Sequence, residues 1–324
     1  MSNFTEILAA AERAKGHICM TPFLNAPDLD QIAGRRVFIK AENLQHTGSF
    51  KARGGWAAVS ALTQTQKAQG VLALSSGNHA QGVARAARAH GVRSVILMPS
   101  DAPQIKIQNT RALGGEVVLY DRAHADRDAL GNALARAQGL IMIKPFDNPM
   151  VIAGQGTVGL EIAAQAAEAG LKKADVLVCC GGGGLAAGVA LALADQAPHL
   201  RARTVEPLGF DDVARSLKAG QIMRNVQSTG SICDAILTPA PGALTFPILQ
   251  NLAGSGLVVS DDQALHAMAL AFSSLKLVLE PGGAVALAAA LFDPDLGEDD
   301  VIAIASGGNV DPAIFMRALT EFGA

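Results

Sequence analysis

Short β-branched runs alternate with alanine-rich helical stretches along almost the whole chain, and this alternation constrains the fold most. Strands are expected at Val37–Lys40, Val71–Ser75, Ser94–Met98, Glu116–Tyr120, Leu140–Ile143, Val176–Cys180, Arg203–Val205, Leu257–Val259 and Val301–Ala305. Helices are expected over Thr5–Ala14, Phe50–Ala61, Asn78–His90, Pro103–Leu113, Ala123–Ala137, Gly156–Ala169, Leu185–Asp195, Asp211–Ala219, Asp261–Ser274 and Gly283–Leu291. Strand–helix–strand units of this spacing build parallel-rich sheets flanked by helices, an α/β fold. Val71–Pro145 holds four strands with helices between them. Residues 70–147 therefore read as a small lobe, and residues 1–69 plus 148–324 as a larger, discontinuous one. No Pro/Gly/Ser linker separates the two, so they should share a broad interface. Ligands sit in such inter-lobe clefts.

Composition narrows the function. Half the 324 residues are apolar and 17 % are charged, so a core is affordable and disorder is excluded. The formal charge is −3 and aromatic residues make up 4 %, which argues against a nucleic-acid partner on both electrostatic and stacking grounds. The longest apolar stretches, Ala284–Phe292 and Val189–Ala194, are far short of the ~20 residues of a membrane span. Met1–Glu6 has neither a basic start nor a long apolar run, so no signal peptide is expected. Four cysteines, Cys19, Cys179, Cys180 and Cys233, lack metal-ligand spacing and read as small buried hydrophobes in a reducing cytoplasm. Adjacent in a strand, Cys179 and Cys180 should face opposite sides of the sheet.

Four glycine-marked segments carry the chemistry. Thr47–Gly55 places Lys51 at a Gly-flanked helix start, where the positive helix end lowers the cost of a neutral amine that can form a Schiff base. Ser75–Gly82 follows a strand and opens a helix, so its N–H groups converge on an anion such as a carboxylate. Gly181–Gly184 also joins strand to helix, and four glycines let the main chain wrap a phosphate. The spacing is not that of a dinucleotide fingerprint, so a phosphate monoester fits better. Ser306, after a strand end, can hydrogen-bond a bound ring. Each segment alone also fits an ordinary turn or cap. Together they supply the contacts that an amino-acid complex of pyridoxal phosphate needs.

On these segments the sequence resembles the fold-type II pyridoxal-phosphate enzymes, in the threonine/serine dehydratase and serine racemase branch. Pro145-Phe146-Asp147, Ile152–Thr157, Glu280–Ala284 and Ser306–Asp311 extend the likeness, in order, over nearly the whole chain. The resemblance implies a two-lobed, tryptophan-synthase-β-like fold with the cofactor in the inter-lobe cleft, and a homodimer. It implies Lys51 as Schiff-base lysine and base at Cα, preceded by Phe50. Gly181, Gly182, Gly183, Gly184 and Leu185 become the phosphate cup, and Asn78 the partner of the phenolic oxygen. Ser306 would face the pyridine nitrogen, where a neutral hydroxyl moderates the electron sink and suits elimination over transamination. Ser75, Ser76 and His79 would hold the substrate carboxylate, with Asn78 beside them. Thr238 falls where the family often has a small hydroxyl near substrate. Ser76 occupies the position that, in racemases, works on the face opposite the lysine.

The loop Val205–Asp212 resembles a divalent-cation site of serine racemases, with Glu206, the Phe210 carbonyl and Asp212 as oxygen ligands for Mg²⁺, Mn²⁺ or Ca²⁺. Acidic capping of a helix start accounts for the same residues. The expected activity is dehydration and deamination of L-threonine or L-serine to a 2-oxo acid and ammonia. Serine racemase, or a dual racemase and dehydratase, is the alternative. Hydroxyaspartate dehydratase or a catabolic relative with a non-standard substrate ranks lower, because Ser49 stands where hydroxyaspartate dehydratases often have alanine. No long regulatory region follows the ring-serine motif, so isoleucine inhibition by that route is not expected.

Overall fold

The computed structural model describes residues 2–102, 104–121 and 124–323. In chain order the elements are α1 (Phe4–Ala14), β1 (Phe23–Asn25), α2 (Pro27–Ala33), β2 (Val37–Lys40), α3 (Lys51–Ser60), α4 (Gln64–Gln69), β3 (Val71–Leu74), α5 (Asn78–Ala89), β4 (Ser94–Pro99), α6 (Gln104–Ala112), β5 (Glu116–Tyr120), α7 (Arg127–Gln138) and β6 (Ile141–Met142). They continue with α8 (Pro149–Glu168), β7 (Ala174–Cys179), α9 (Gly184–Gln196), β8 (Leu200–Pro207), α10 (Asp212–Ala219), α11 (Thr245–Leu252), β9 (Leu257–Val259), α12 (Asp261–Leu275), α13 (Pro281–Phe292), β10 (Asp300–Ile304) and α14 (Pro312–Phe322).

The strands form two sheets, ordered β1-β2-β10-β7-β8-β9 and β5-β4-β3-β6. Every pairing is parallel except β1 against β2. Continuous β-branched runs such as Val176–Val178 are buried on both faces, as a helix-covered parallel sheet requires. Cys179 packs into one core and Cys180 into the other, on opposite sides of the larger sheet. Cys19 departs from the expectation of burial and is exposed. The sequence reading also placed the start of the helix before β7 at Gly156. The structure starts it at Pro149, because Asn148 caps the amides of Met150 and Val151 and proline suits the first turn. Pro103 and Ala123, expected to open two helices, lie outside the described residues.

Helix α3 bridges the two sheets. Trp56, Ala58 and Val59 share a core with Val71, Ala73, Ile96 and Met98 of the smaller sheet. The same helix crosses α5 without intervening side chains. A Cβ on Gly55 would lie 2.6 Å from the Gly82 carbonyl carbon, and one on Gly82 would lie 2.6 Å from the Lys51 carbonyl oxygen. Among the described residues no helix is long and apolar enough to cross a membrane.

Candidate active site

Lys51 is the first residue of α3, and its Nζ donates to the Pro145 carbonyl at 2.9 Å. The ammonium also lies 5.1 Å from the centre of the Phe50 ring. Burial lowers its pKa to about 8, with Glu280 opposing the shift. A large share of the amine is therefore neutral at mildly alkaline pH, as a nucleophilic or basic lysine needs.

The segment before Lys51 is stitched to the end of β10. Phe50 N–H donates to the Ser306 carbonyl at 3.1 Å, Gly308 N–H donates to the Gly48 carbonyl at 2.9 Å, and Ser49 bridges Gly307. Thr47, at φ 59°, is one of two non-glycine residues with positive φ among those described. Asn309 Nδ2 holds its carbonyl at 2.8 Å and also donates to Asn78 Oδ1 at 2.7 Å. Asn78 Nδ2 in turn donates to Glu280 Oε1 at 2.6 Å. Burial pushes the Glu280 carboxyl up to about 7, against the Asn78 hydrogen bond.

The turn after β3 brings the next group together. Ser75 Oγ accepts from Gly77 N–H, and Ser76 stands beside it, half-exposed. His79 is buried, its Nε2 2.8 Å from the Ile143 carbonyl, so Nε2 carries the proton. Burial and Lys51 push its pKa down to about 3, which keeps the ring neutral; its buried Nδ1 has no hydrogen-bond partner. Ile143 and Pro145 thus turn alternate carbonyls toward His79 and Lys51.

The glycine loop closes the site. Gly183 adopts φ 90°, and α9 begins at Gly184 with no side-chain cap, so its first amides are free for an anion. A Cβ on Gly182 would meet the Phe146 ring at 2.3 Å, and one on Gly181 would lie 3.2 Å from Thr238 Cγ2. Thr238 Oγ1 is buried without a partner. A loop that tolerates no side chain, an uncapped helix start and an orphaned hydroxyl fit a phosphate monoester. Together with the lysine whose pKa burial lowers to about 8, they fit pyridoxal phosphate. A cavity of about 360 Å³ adjoins this place, lined by Pro145, Phe146, Lys144, Arg127 and Arg224 but not by Lys51 or the glycine loop. A larger groove of about 480 Å³ lies beside α10 and touches none of these residues.

The cation loop lies apart. Glu206 is fully buried, and its two oxygens accept from Val213 and Ala214 N–H at 2.9 and 2.7 Å. Asp212 Oδ1 accepts from Asn225, while its Oδ2 is buried without a partner. Burial and the facing Asp212 raise Glu206 well above the usual carboxylate range, and burial raises Asp212 to about 7. Phe210, between them in the chain, has a buried ring. Among the described residues no group of three or more His, Cys, Asp or Glu side chains gathers into a metal site, so a cation here needs the Phe210 carbonyl as well.

Sequence reasoning named no role for Glu280, Asn309 or the Pro145 carbonyl. Each lies in a segment it quoted, but their partners are 94 to 262 residues away in the chain.

Comparison with known proteins identifies the family. The sequence pattern of the family described as pyridoxal-phosphate dependent enzyme matches residues 14–307. An L-threo-3-hydroxyaspartate ammonia-lyase of Pseudomonas sp is 39 % identical over 312 residues, covering 96 % of each chain. A serine racemase of Schizosaccharomyces pombe is 36 % identical over 322 residues, 99 % of this chain and 98 % of the relative. Among solved structures, the T.th. threonine deaminase is 43 % identical with a TM-score of 0.89, covering 95 % of this chain and 99 % of that one. Maize serine racemase is 34 % identical with a TM-score of 0.91, covering 99 % and 97 %. The family match, the sequence identities and the structural similarity agree: the chain belongs to the pyridoxal-phosphate dependent enzymes of fold type II.

Proposed function

We propose that this enzyme is an ammonia-lyase acting on L-threonine or L-serine, releasing ammonia and leaving a 2-oxo acid, the water lost in elimination being taken up again when the enamine product hydrolyses. The observation that carries the reading is Lys51, held by the Pro145 carbonyl with a pKa of about 8. When bound, pyridoxal phosphate supplies the electron sink that stabilises negative charge at the substrate Cα. Lys51 holds it and then takes the Cα proton. Gly181, Gly182, Gly183, Gly184 and Leu185 bind the phosphate, Asn78 the phenolic oxygen, and Ser306 the ring nitrogen. Ser75, Ser76, Asn78 and His79 receive the substrate carboxylate, His79 through its main-chain N–H, because its neutral ring spends its one proton on the Ile143 carbonyl. Thr238 faces the substrate from the glycine loop's side. The lobes at 1–69 plus 148–324 and at 70–147 close on the substrate, in a cytoplasmic homodimer. A divalent cation, held by Glu206, the Phe210 carbonyl and Asp212, is structural and touches no substrate. It satisfies the orphaned Asp212 oxygen.

The test is a panel of hydroxy amino acids, 3-hydroxyaspartate included, with 2-oxo acid and ammonia measured. Borohydride reduction should fix the cofactor on Lys51, and Lys51→Ala should fold yet lose turnover. Label on another lysine, or no 2-oxo acid from threonine or serine, refutes the reading.

The racemase relatives favour a second reading, serine racemisation, with Ser76 as acid or base opposite Lys51. Ser76→Ala should then abolish D-serine formation, a loss of about 10²–10⁴-fold, while L-serine elimination falls less. Equal losses for both enantiomers, chiefly in KM, leave Ser76 as a carboxylate-binding residue.

A further inference from the structure

Four charged side chains with little or no solvent exposure lie behind the lysine. Arg53 forks onto Glu42 through Nε and Nη2 at 2.8 and 2.7 Å, and onto Glu161 through Nη1 and Nη2 at 2.7 and 2.9 Å. Lys40 Nζ donates to Glu161 Oε2 at 2.5 Å, and to the Thr21 carbonyl and Gln165 Oε1 at 2.9 and 2.8 Å. Lys40 and Glu42 are fully buried and Arg53 is 2 % exposed. Two cations face two anions, so the set is neutral.

Its position matters more than its strength. Residues two apart on a helix point about 200° away from each other, so Lys51 turns into the cleft and Arg53 turns out of it. Lys40 ends β2, which pairs with β10 in register at Ile304, and Ala305 N–H donates to the Lys40 carbonyl at 3.0 Å. Ser306 follows directly. The network thus ties the first turn of α3 to the strand pair that delivers the ring serine, and through Glu161 to α8. Trp56, whose Nε1 donates to the Arg13 carbonyl at 2.7 Å, anchors α3 on the smaller lobe's side, and the Arg53 fork anchors it to the larger sheet. Towards α5 and α8 it presents Gly54, Gly55 and Ala57, whose close contacts with Gly82, Gln155 and Gly154 leave few side chains to interlock. Buried ion pairs seldom outperform apolar side chains in stability, but their directional forks can specify one arrangement.

We propose that Arg53 is a positioning residue: its fork onto Glu42 and Glu161 holds Lys51 at a fixed height relative to Ser306. Lys51 stays registered to the larger sheet although α3 rests on the core of the smaller one. The inference depends on Lys51 carrying the cofactor, as proposed above.

The test compares wild type with Arg53→Lys, both loaded with pyridoxal phosphate. Lysine keeps the charge and loses the fork. The variant should take up cofactor and lose about 10–100-fold in kcat with KM within about 2-fold, the pattern of a misplaced reacting group. Its lysine-bound cofactor absorbance should titrate at a shifted midpoint, a readout that needs no turnover. Should Arg53→Lys not fold, Glu161→Gln carries the same comparison, since it leaves the Glu42 fork in place. A variant with lowered Tm but wild-type kcat and midpoint overturns the proposal. Wild-type protein that takes up no cofactor at Lys51 overturns the functional reading and this proposal together.

Discussion

Two buried acidic clusters in this molecule behave in opposite ways. Around Arg53, Glu161 is held below the usual carboxylate range by the guanidinium and by Lys40, and Arg53 is itself raised. Around α10, Glu206 and Asp212 face each other, and both are raised. Desolvation pushes acids upward in both places, so the presence of buried cations decides the outcome. Lys40 departs from the pattern: burial lowers it despite Glu161, because a fully enclosed amine loses more hydration than one carboxylate returns. The first cluster is electrically complete within the chain, and the second leaves an Asp212 oxygen without a partner.

The strongest way to break this comparison is to remove one member from each cluster. Arg53→Met leaves two buried carboxylates short of a cation and should cost about 3–5 kcal/mol in denaturant unfolding. Asp212→Asn removes a like-charged neighbour of Glu206 and should cost far less in cation-free buffer. Equal losses would show that the two clusters do not differ. A smaller effect should come from adding Mg²⁺, which at 100 times its Kd stabilises by about 2.7 kcal/mol. Asp212 in the folded protein keeps its proton up to about 7, whereas the unfolded chain releases it near 3.8, so stability without cation falls as pH rises through that window. The cation must displace that proton. Its Tm gain should therefore be larger at pH 8 than at pH 6, and absent in Asp212→Asn. A gain independent of pH counts against the site.

The smallest expected effect contrasts two buried lysines. Among the described residues Lys51 has no ion pair and donates to the Pro145 carbonyl, whereas Lys40 is bound to Glu161. Cofactor uptake by apoprotein should follow neutral Lys51, rising about tenfold from pH 7 to pH 9 around a midpoint of about 8, with no label on Lys40. Label on Lys40, or a flat profile, would refute the contrast.

What the sequence disclosed follows from distance along the chain. The turn after β3 and the glycine loop after β7 are local: a strand, a few glycines and a helix start, all within about a dozen residues. Strand and helix periodicity made the parallel architecture legible for the same reason. Three-residue β1 escaped notice, since its antiparallel pairing with β2 is a tertiary fact that leaves no local pattern. Glu280 on Asn78, Asn309 on the Thr47 carbonyl, and Arg53 on Glu161 are contacts spanning 202, 262 and 108 residues. No periodicity encodes them. Helix α2 and helix α14 went unread although proline opens each, a signal that was present at Pro27 and Pro312.

The crossing of α3 and α5 at Gly55 and Gly82 has a consequence for how this enzyme can change over time. The spacing between the lysine and the turn proposed to receive the carboxylate is set by two main chains in contact, and main chains do not mutate. Side chains elsewhere around the cleft are free to drift, altering which amino acid enters, while the distance on which proton removal depends stays constant. One scaffold can thus lend the same reactive geometry to descendants with different substrates, provided these two glycines are kept.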